Sequence, residues 1–133
     1  MEPRWITSDA VGLGIIGLAA SLRGISYLPH VVDQSRKAAH FLEEVAQPAV
    51  WSWVWISVGL LCLAAIPIRR LMPPAVGAGI GLHFMWATSF ILSGGRGWVT
   101  AISYGAITLL ALWAFGRGRR QPHREVPDFK GEP

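Results

Sequence analysis

Hydrophobic positions along this chain gather into four long blocks. Trp51 to Ile68, Ala75 to Leu92 and Trp98 to Phe115 each run eighteen residues without a Lys, Arg, Asp or Glu. At about 1.5 Å per residue, each block covers roughly 27 Å, close to the hydrocarbon thickness of a bilayer. A fourth block, Ala10 to Val32, is interrupted only by Arg23. The pattern predicts an all-α, polytopic membrane protein with four transmembrane helices, about 10–32, 51–68, 75–92 and 98–115. These form one membrane domain over 1–116, followed by a basic tail, 117–133, whose polar, Pro-containing composition predicts disorder or contact with headgroups.

Between the first two blocks the periodicity changes. Across 33–47, Ala38, Phe41, Leu42 and Val45 recur at helical spacing, with Arg36, Lys37, His40, Glu43 and Glu44 on the other side. Asp33 or Ser35 can cap the start and Pro48 stops the continuation. This predicts an amphipathic helix, about 34–46, lying in the interface. Pro67 and Arg69-Arg70 end the second span and Pro73-Pro74 open the third, which makes an antiparallel hairpin. Ser93-Gly94-Gly95-Arg96-Gly97 reads as a tight turn into the fourth.

Composition agrees: 52% of residues are hydrophobic and 15% charged, low for a soluble domain. The net charge of +4 reads as basic anchoring at headgroups, with the lipid bilayer and no nucleic acid as partner. With four spans both termini share a side. That side collects Arg4, Arg69, Arg70, Arg117, Arg119, Arg120, Arg124 and Lys130, against Arg36, Lys37 and Arg96 opposite. The bias predicts a multi-pass protein of the plasma (inner) membrane with both termini cytoplasmic. Residues 1–9 are net negative, so the first block reads as an uncleaved helix rather than a signal peptide. Cys62 is the only cysteine, which excludes an intramolecular disulfide.

Tryptophans and arginines at block ends read as interface anchors: Trp51, Trp53, Trp55, Trp98 and Trp113, with Arg69, Arg70, Arg117, Arg119 and Arg120. Trp51, Trp53 and Trp55 are two apart, so they cannot share one helix face and suit an aromatic collar. Small residues form stripes that permit close helix approach: Gly14, Gly17, Ser21 and Gly24 in the first span, Gly77 and Gly81 in the third, and Gly105 in the fourth. They serve packing within the chain or a homo-oligomer.

Two intramembrane polar residues are functional candidates, Arg23 and His83. Arg23 either snorkels to nearby headgroups, pairs with Glu43 or Glu44, or lines a polar pathway. His83, at the middle of the third span, reads as a neutral histidine bonded to a Ser or Thr of a neighbouring helix. As a haem ligand it lacks an axial partner at its depth. His30, Asp33, His40, Glu43 and Glu44 match no zinc spacing, and no Ser, Thr or Cys has a paired base. Neither a cofactor nor an enzymatic activity is expected. A small multidrug exporter would need a membrane-embedded Glu in its first helix, which is absent.

The layout from Ala10 to Phe115, the run Arg23-Gly24-Ile25-Ser26-Tyr27-Leu28-Pro29, the opening WSWVW and the tail GRGRRQPHR resemble the small four-span, holin-like membrane proteins of actinobacterial phage lysis cassettes. The resemblance implies oligomerisation in the host membrane and permeabilisation or depolarisation during lysis. The alternative is an accessory or structural subunit that docks other membrane subunits through its helices and amphipathic segment.

Overall fold

A computed structural model describes residues 8–117; the expectations for residues 1–7, for the tail and for Arg119, Arg120, Arg124 and Lys130 lie outside them. The described chain is helical without a strand. Its helices are α1 (Ser8–Ser26), α2 (Phe41–Val45), α3 (Pro48–Ala64), α4 (Met72–Leu92) and α5 (Gly97–Arg117), with a 3-10 turn (Arg69–Leu71) before α4. Three segments are long and apolar enough to cross a membrane: Asp9–Ser26, Arg69–Leu92 and Gly97–Arg117. The fourth apolar helix, α3, has 17 residues, about 25 Å by helical rise.

Proline sets two helix starts. Pro48 stands in the first turn of α3 and Pro73 in that of α4, where a missing N–H costs nothing. The second span therefore begins three residues before Trp51 and ends at Ala64, not Ile68. The first ends at Ser26, six residues short of Val32, because successive turn bonds (Tyr27 N–H to Gly24 O, Val31 N–H to Leu28 O) bend the chain over the bundle. The α4–α5 turn needs its glycines, since Gly94 and Gly95 have φ of 68° and 56°.

The amphipathic helix is much shorter than the sequence pattern implies. Only Phe41–Val45 is helical; Asp33 accepts from the Ser35 amide at 2.9 Å, making a local turn instead of a helix cap. The segment 27–47 is a cap packed on the helix ends, not a helix lying free in an interface.

Pairing is uneven: α1 packs along α3 and α4 along α5, while the α3–α4 contact is lighter. The α1–α3 seam is backbone against backbone. A Cβ on Gly24 would sit 2.6 Å from Ile56 Cγ1 and 2.8 Å from Ser52 O, and one on Gly17 would sit 2.9 Å from Leu63 Cγ. Gly59, which the stripes did not include, faces Ser21 and the Gly17 carbonyl at equal closeness. Gly14 is looser, with Ile66 Cδ1 at 3.9 Å. Gly77, Gly81 and Gly105 have nothing within 4 Å of a Cβ position, so they make no close packing contact among the described residues.

The core has two layers. Toward the cap, Tyr27, Trp55, Leu82, Trp86 and Phe90 cluster. Toward the other end lie smaller groups, Leu13, Ile16, Cys62, Ala65, Ala75 and Ala111. The tryptophan collar is thereby corrected. Trp55 is wholly buried and Trp51 half-buried; only Trp53 is exposed. Residues 51 and 55 are four apart and share the face turned to α4, while Trp53 points away from it. Trp98 and Trp113 are exposed, the latter beneath the Arg117 guanidinium at 4.4 Å. Arg69 and Arg70 are exposed in the interhelical turn.

Candidate functional site

The polar chemistry converges beneath the cap, where the end of α1, the cap segment and the last turns of α4 meet. Its centre is Glu43, whose side chain is 2% exposed. Burial of a carboxylate is tolerated only with full compensation, and three donors supply it. Tyr27 Oη–H and Arg36 Nη2–H reach Oε1 at 2.7 and 2.8 Å, and the Ala39 amide reaches Oε2 at 2.9 Å. Burial acts to raise the Glu43 carboxyl, but the Ala39 amide, Arg36 and Tyr27 outweigh it and hold the group below its usual value.

His40 lies beside it, buried between the Trp86 and Phe90 rings at centroid distances of 5.0 and 4.3 Å. Its Nδ1 is 2.8 Å from Ser89 Oγ, which also accepts the Leu42 amide at 3.0 Å. The serine hydroxyl has a second lone pair and one proton, so it can pair with Nδ1 in either imidazole tautomer. The other ring nitrogen, Nε2, is buried, 3.5 Å from Glu43 Oε1 and without a hydrogen bond among the described residues. Burial pushes the imidazole below its ordinary value, against the pull of Glu43 and with the push of Arg23 and Arg36.

More bonds clamp the cap. The Phe41 amide donates to Ser93 Oγ at 3.2 Å, and Trp51 Nε1–H to the Leu42 carbonyl at 2.8 Å. Gln34 ties both ends of the segment: its Nε2 donates to the Tyr27 carbonyl and its Oε1 accepts the Ala49 amide. Below, the rings of Trp51, Trp55 and Trp86 stand edge-to-face at 4.8 and 5.1 Å, the favoured geometry of their quadrupoles. Beside Arg36, Glu44 and Gln47 a polar surface pocket of about 220 Å³ opens.

Arg23 belongs to this network but not as a direct ion-pair partner. Its Nη2 donates to Tyr27 Oη at 2.9 Å, and Tyr27 relays the contact to Glu43. The direct pair is Arg36–Glu43; Glu44 is exposed. The guanidinium also lies 4.7 and 5.7 Å from the Tyr27 and Tyr104 ring centroids. His83 is buried, and its Nδ1–H donates to the Gly79 carbonyl one turn back at 2.7 Å, instead of to a neighbouring helix's hydroxyl. Trp55 stands edge-on to it at 5.0 Å. The two candidates are thus not brought into one polar pathway. Glu43, Tyr27, His40 and Ser89 carry the network, and the signal for it was faint: Tyr27 four residues after Arg23, and one carboxylate of the cap's three, Asp33, Glu43 and Glu44.

Comparison with family models, with curated proteins and with solved structures finds no match.

Proposed function

We propose that this chain is a self-associating four-span protein of the plasma membrane that acts on the bilayer itself, in the holin-like manner its layout resembles. In this reading α3 is the fourth span and the cap lies outside. The observation that carries it is the outward turn of Gly77 and Gly81 on α4 and Gly105 on α5, where an added Cβ would meet no atom of the described residues within 4 Å. Gly105 lines an open cleft of about 420 Å³ between α4 and α5, together with Ala87, Thr88, Ala101 and Thr108. Lipid gives no hydrophobic drive to helix association, so small residues that let backbones approach are the sites where a second copy gains contact. Arg23 gives one bond to Tyr27 and lies beside the Tyr104 ring; permeation in this reading follows assembly and does not run along Arg23.

The test is induction in a bacterium with membrane potential followed in time. A delayed, abrupt collapse is expected, since assembly must reach a threshold, and Gly81→Leu and Gly105→Leu should delay or abolish it at equal membrane abundance. Harmless accumulation of the unaltered chain sinks the holin-like reading. A specific observation then favours the docking-subunit reading: the cap exposes Phe41 and Val45 beside Glu44, an apolar pair on an otherwise fastened segment.

A further inference from the structure

A separate face of the molecule joins a fixed positive charge to an apolar groove. Gly12, Ile15 and Ile16 of α1 and Ile107, Ala111 and Ala114 of α5 line a groove of about 190 Å³, closed at one end by Phe115 against Gly12. Arg23 lies two turns beyond Ile16 on the same α1 face, because positions 12, 16, 19 and 23 fall within a narrow arc at 100° per residue. Tyr104 continues the α5 wall and stands 5.7 Å from the guanidinium. Gly12 to Arg23 spans about 16 Å of helix, a length suited to a stretched acyl chain.

The charge at the head of this face is not neutralised by any of the described residues. Among the described residues no carboxylate lies within 4 Å of Arg23, and its buried Nε makes no hydrogen bond. Glu43, the nearest acid in the network, is committed to Arg36, Tyr27 and the Ala39 amide. A guanidinium near the end of an apolar helix is costly unless an anion or water meets it, and phosphate oxygens match its donor geometry. The geometry points to a site for an anionic phospholipid of the cap-side leaflet, its phosphate at Arg23 and one acyl chain along the α1–α5 groove. The lipid supplies both features the face lacks, a negative charge at one end and apolar bulk below it.

The full chain in detergent is mixed with phosphatidylglycerol or phosphatidylcholine, and retained lipid is measured by native mass spectrometry. Phosphatidylglycerol should be retained on the order of fivefold better. Arg23→Gln should abolish that preference, and Ala114→Trp, which fills the groove, should lower retention of both lipids while keeping their ratio. An equal affinity for the two lipids in the unaltered chain, or an unchanged preference in folded Arg23→Gln, overturns the phosphate assignment. Displacement of the lipid by millimolar inorganic phosphate overturns the lipid as source, since a free anion then suffices. Unchanged retention in Ala114→Trp overturns the groove. Should Arg23→Gln fail to fold, the groove variant and the phosphate competition decide the matter on their own.

Discussion

The α1–α3 seam and the outer face of α4 and α5 are built from the same residue type and do opposite things. On the seam, Gly17, Gly24 and Gly59 bring two backbones so close that a Cβ has no room. On the outer face, Gly77, Gly81 and Gly105 meet nothing. A small residue in a membrane helix permits approach; it does not say what approaches. On the seam the partner is the same chain, and the close fit supplies the van der Waals contact that lipid cannot replace. On the outer face the permission is unused among the described residues. The seam glycines therefore belong to folding, and any role in assembly falls to the outer set.

Exchanging leucine for glycine on each side breaks this comparison most directly. Gly24→Leu forces a side chain into Ile56 and the Ser52 carbonyl, and overpacking against backbone should cost upward of about 3 kcal/mol. Loss of the folded protein in a detergent unfolding titration is expected. Gly81→Leu should unfold at the unaltered chain's midpoint and lose only self-association. Equal unfolding behaviour in the two variants would erase the distinction.

Tryptophan offers the next contrast. Trp55 is buried against Trp86 and His83, so Trp55→Ala should cost about 3 kcal/mol through the cavity left behind. Trp53 is 66% exposed, and Trp53→Ala should change unfolding by less than about 0.5 kcal/mol. A larger effect at Trp53 would mean that the collar, not the aromatic core, holds this end of the bundle.

Glu43 and Glu44 sharpen the comparison at the cap. Glu43→Ala leaves Tyr27, Arg36 and the Ala39 amide short of an acceptor and should destabilise by about 2 kcal/mol. Glu44→Ala should be nearly silent. Proteolysis within 33–40 is the local measure: it should accelerate in the first variant alone.

The smallest expected effect is that of pH on the same cap. His40 and Glu43 are both held below their ordinary values, so each favours the folded cap at neutral pH and withdraws that support on acidification. The His40 part should fade as pH falls below about 6.5 and the Glu43 part below about 4.5. Amide exchange in 39–43 should quicken on acidification through that window. In His40→Gln the loss at the higher-pH end of that window should disappear while the one at lower pH remains. A cap that tightens as pH falls would contradict the His40 assignment.

Much of the architecture was legible from hydropathy, because a bilayer demands long apolar helices whatever packs against them. The helical class, the approximate block positions, the glycine turn at Gly94-Gly95 and the proline start of α4 follow from local chemistry; the start of α3 at Pro48 and the early ends of α1 and α3 did not. Periodicity misled at 33–47: Ala38, Phe41, Leu42 and Val45 recur at helical spacing in the sequence, yet only Phe41–Val45 is helical, and the segment is instead held by the donors that Tyr27, Arg36 and Ala39 bring to the carboxylate of Glu43. The tryptophan triplet misled likewise, since spacing shows that its faces diverge but not which face meets α4.

What the sequence by itself determined is the solvent of this protein and the secondary structure that solvent requires. Each backbone amide must be satisfied inside its own helix, so apolar length and breaker positions suffice. What only the tertiary structure decided is which equivalents face inward: Gly59 and not Gly81, Trp55 and not Trp53, Glu43 and not Glu44. In a chain whose helices are apolar on every side, no amphipathic stripe marks the core. Packing geometry alone separates the buried copy of each residue from the exposed one.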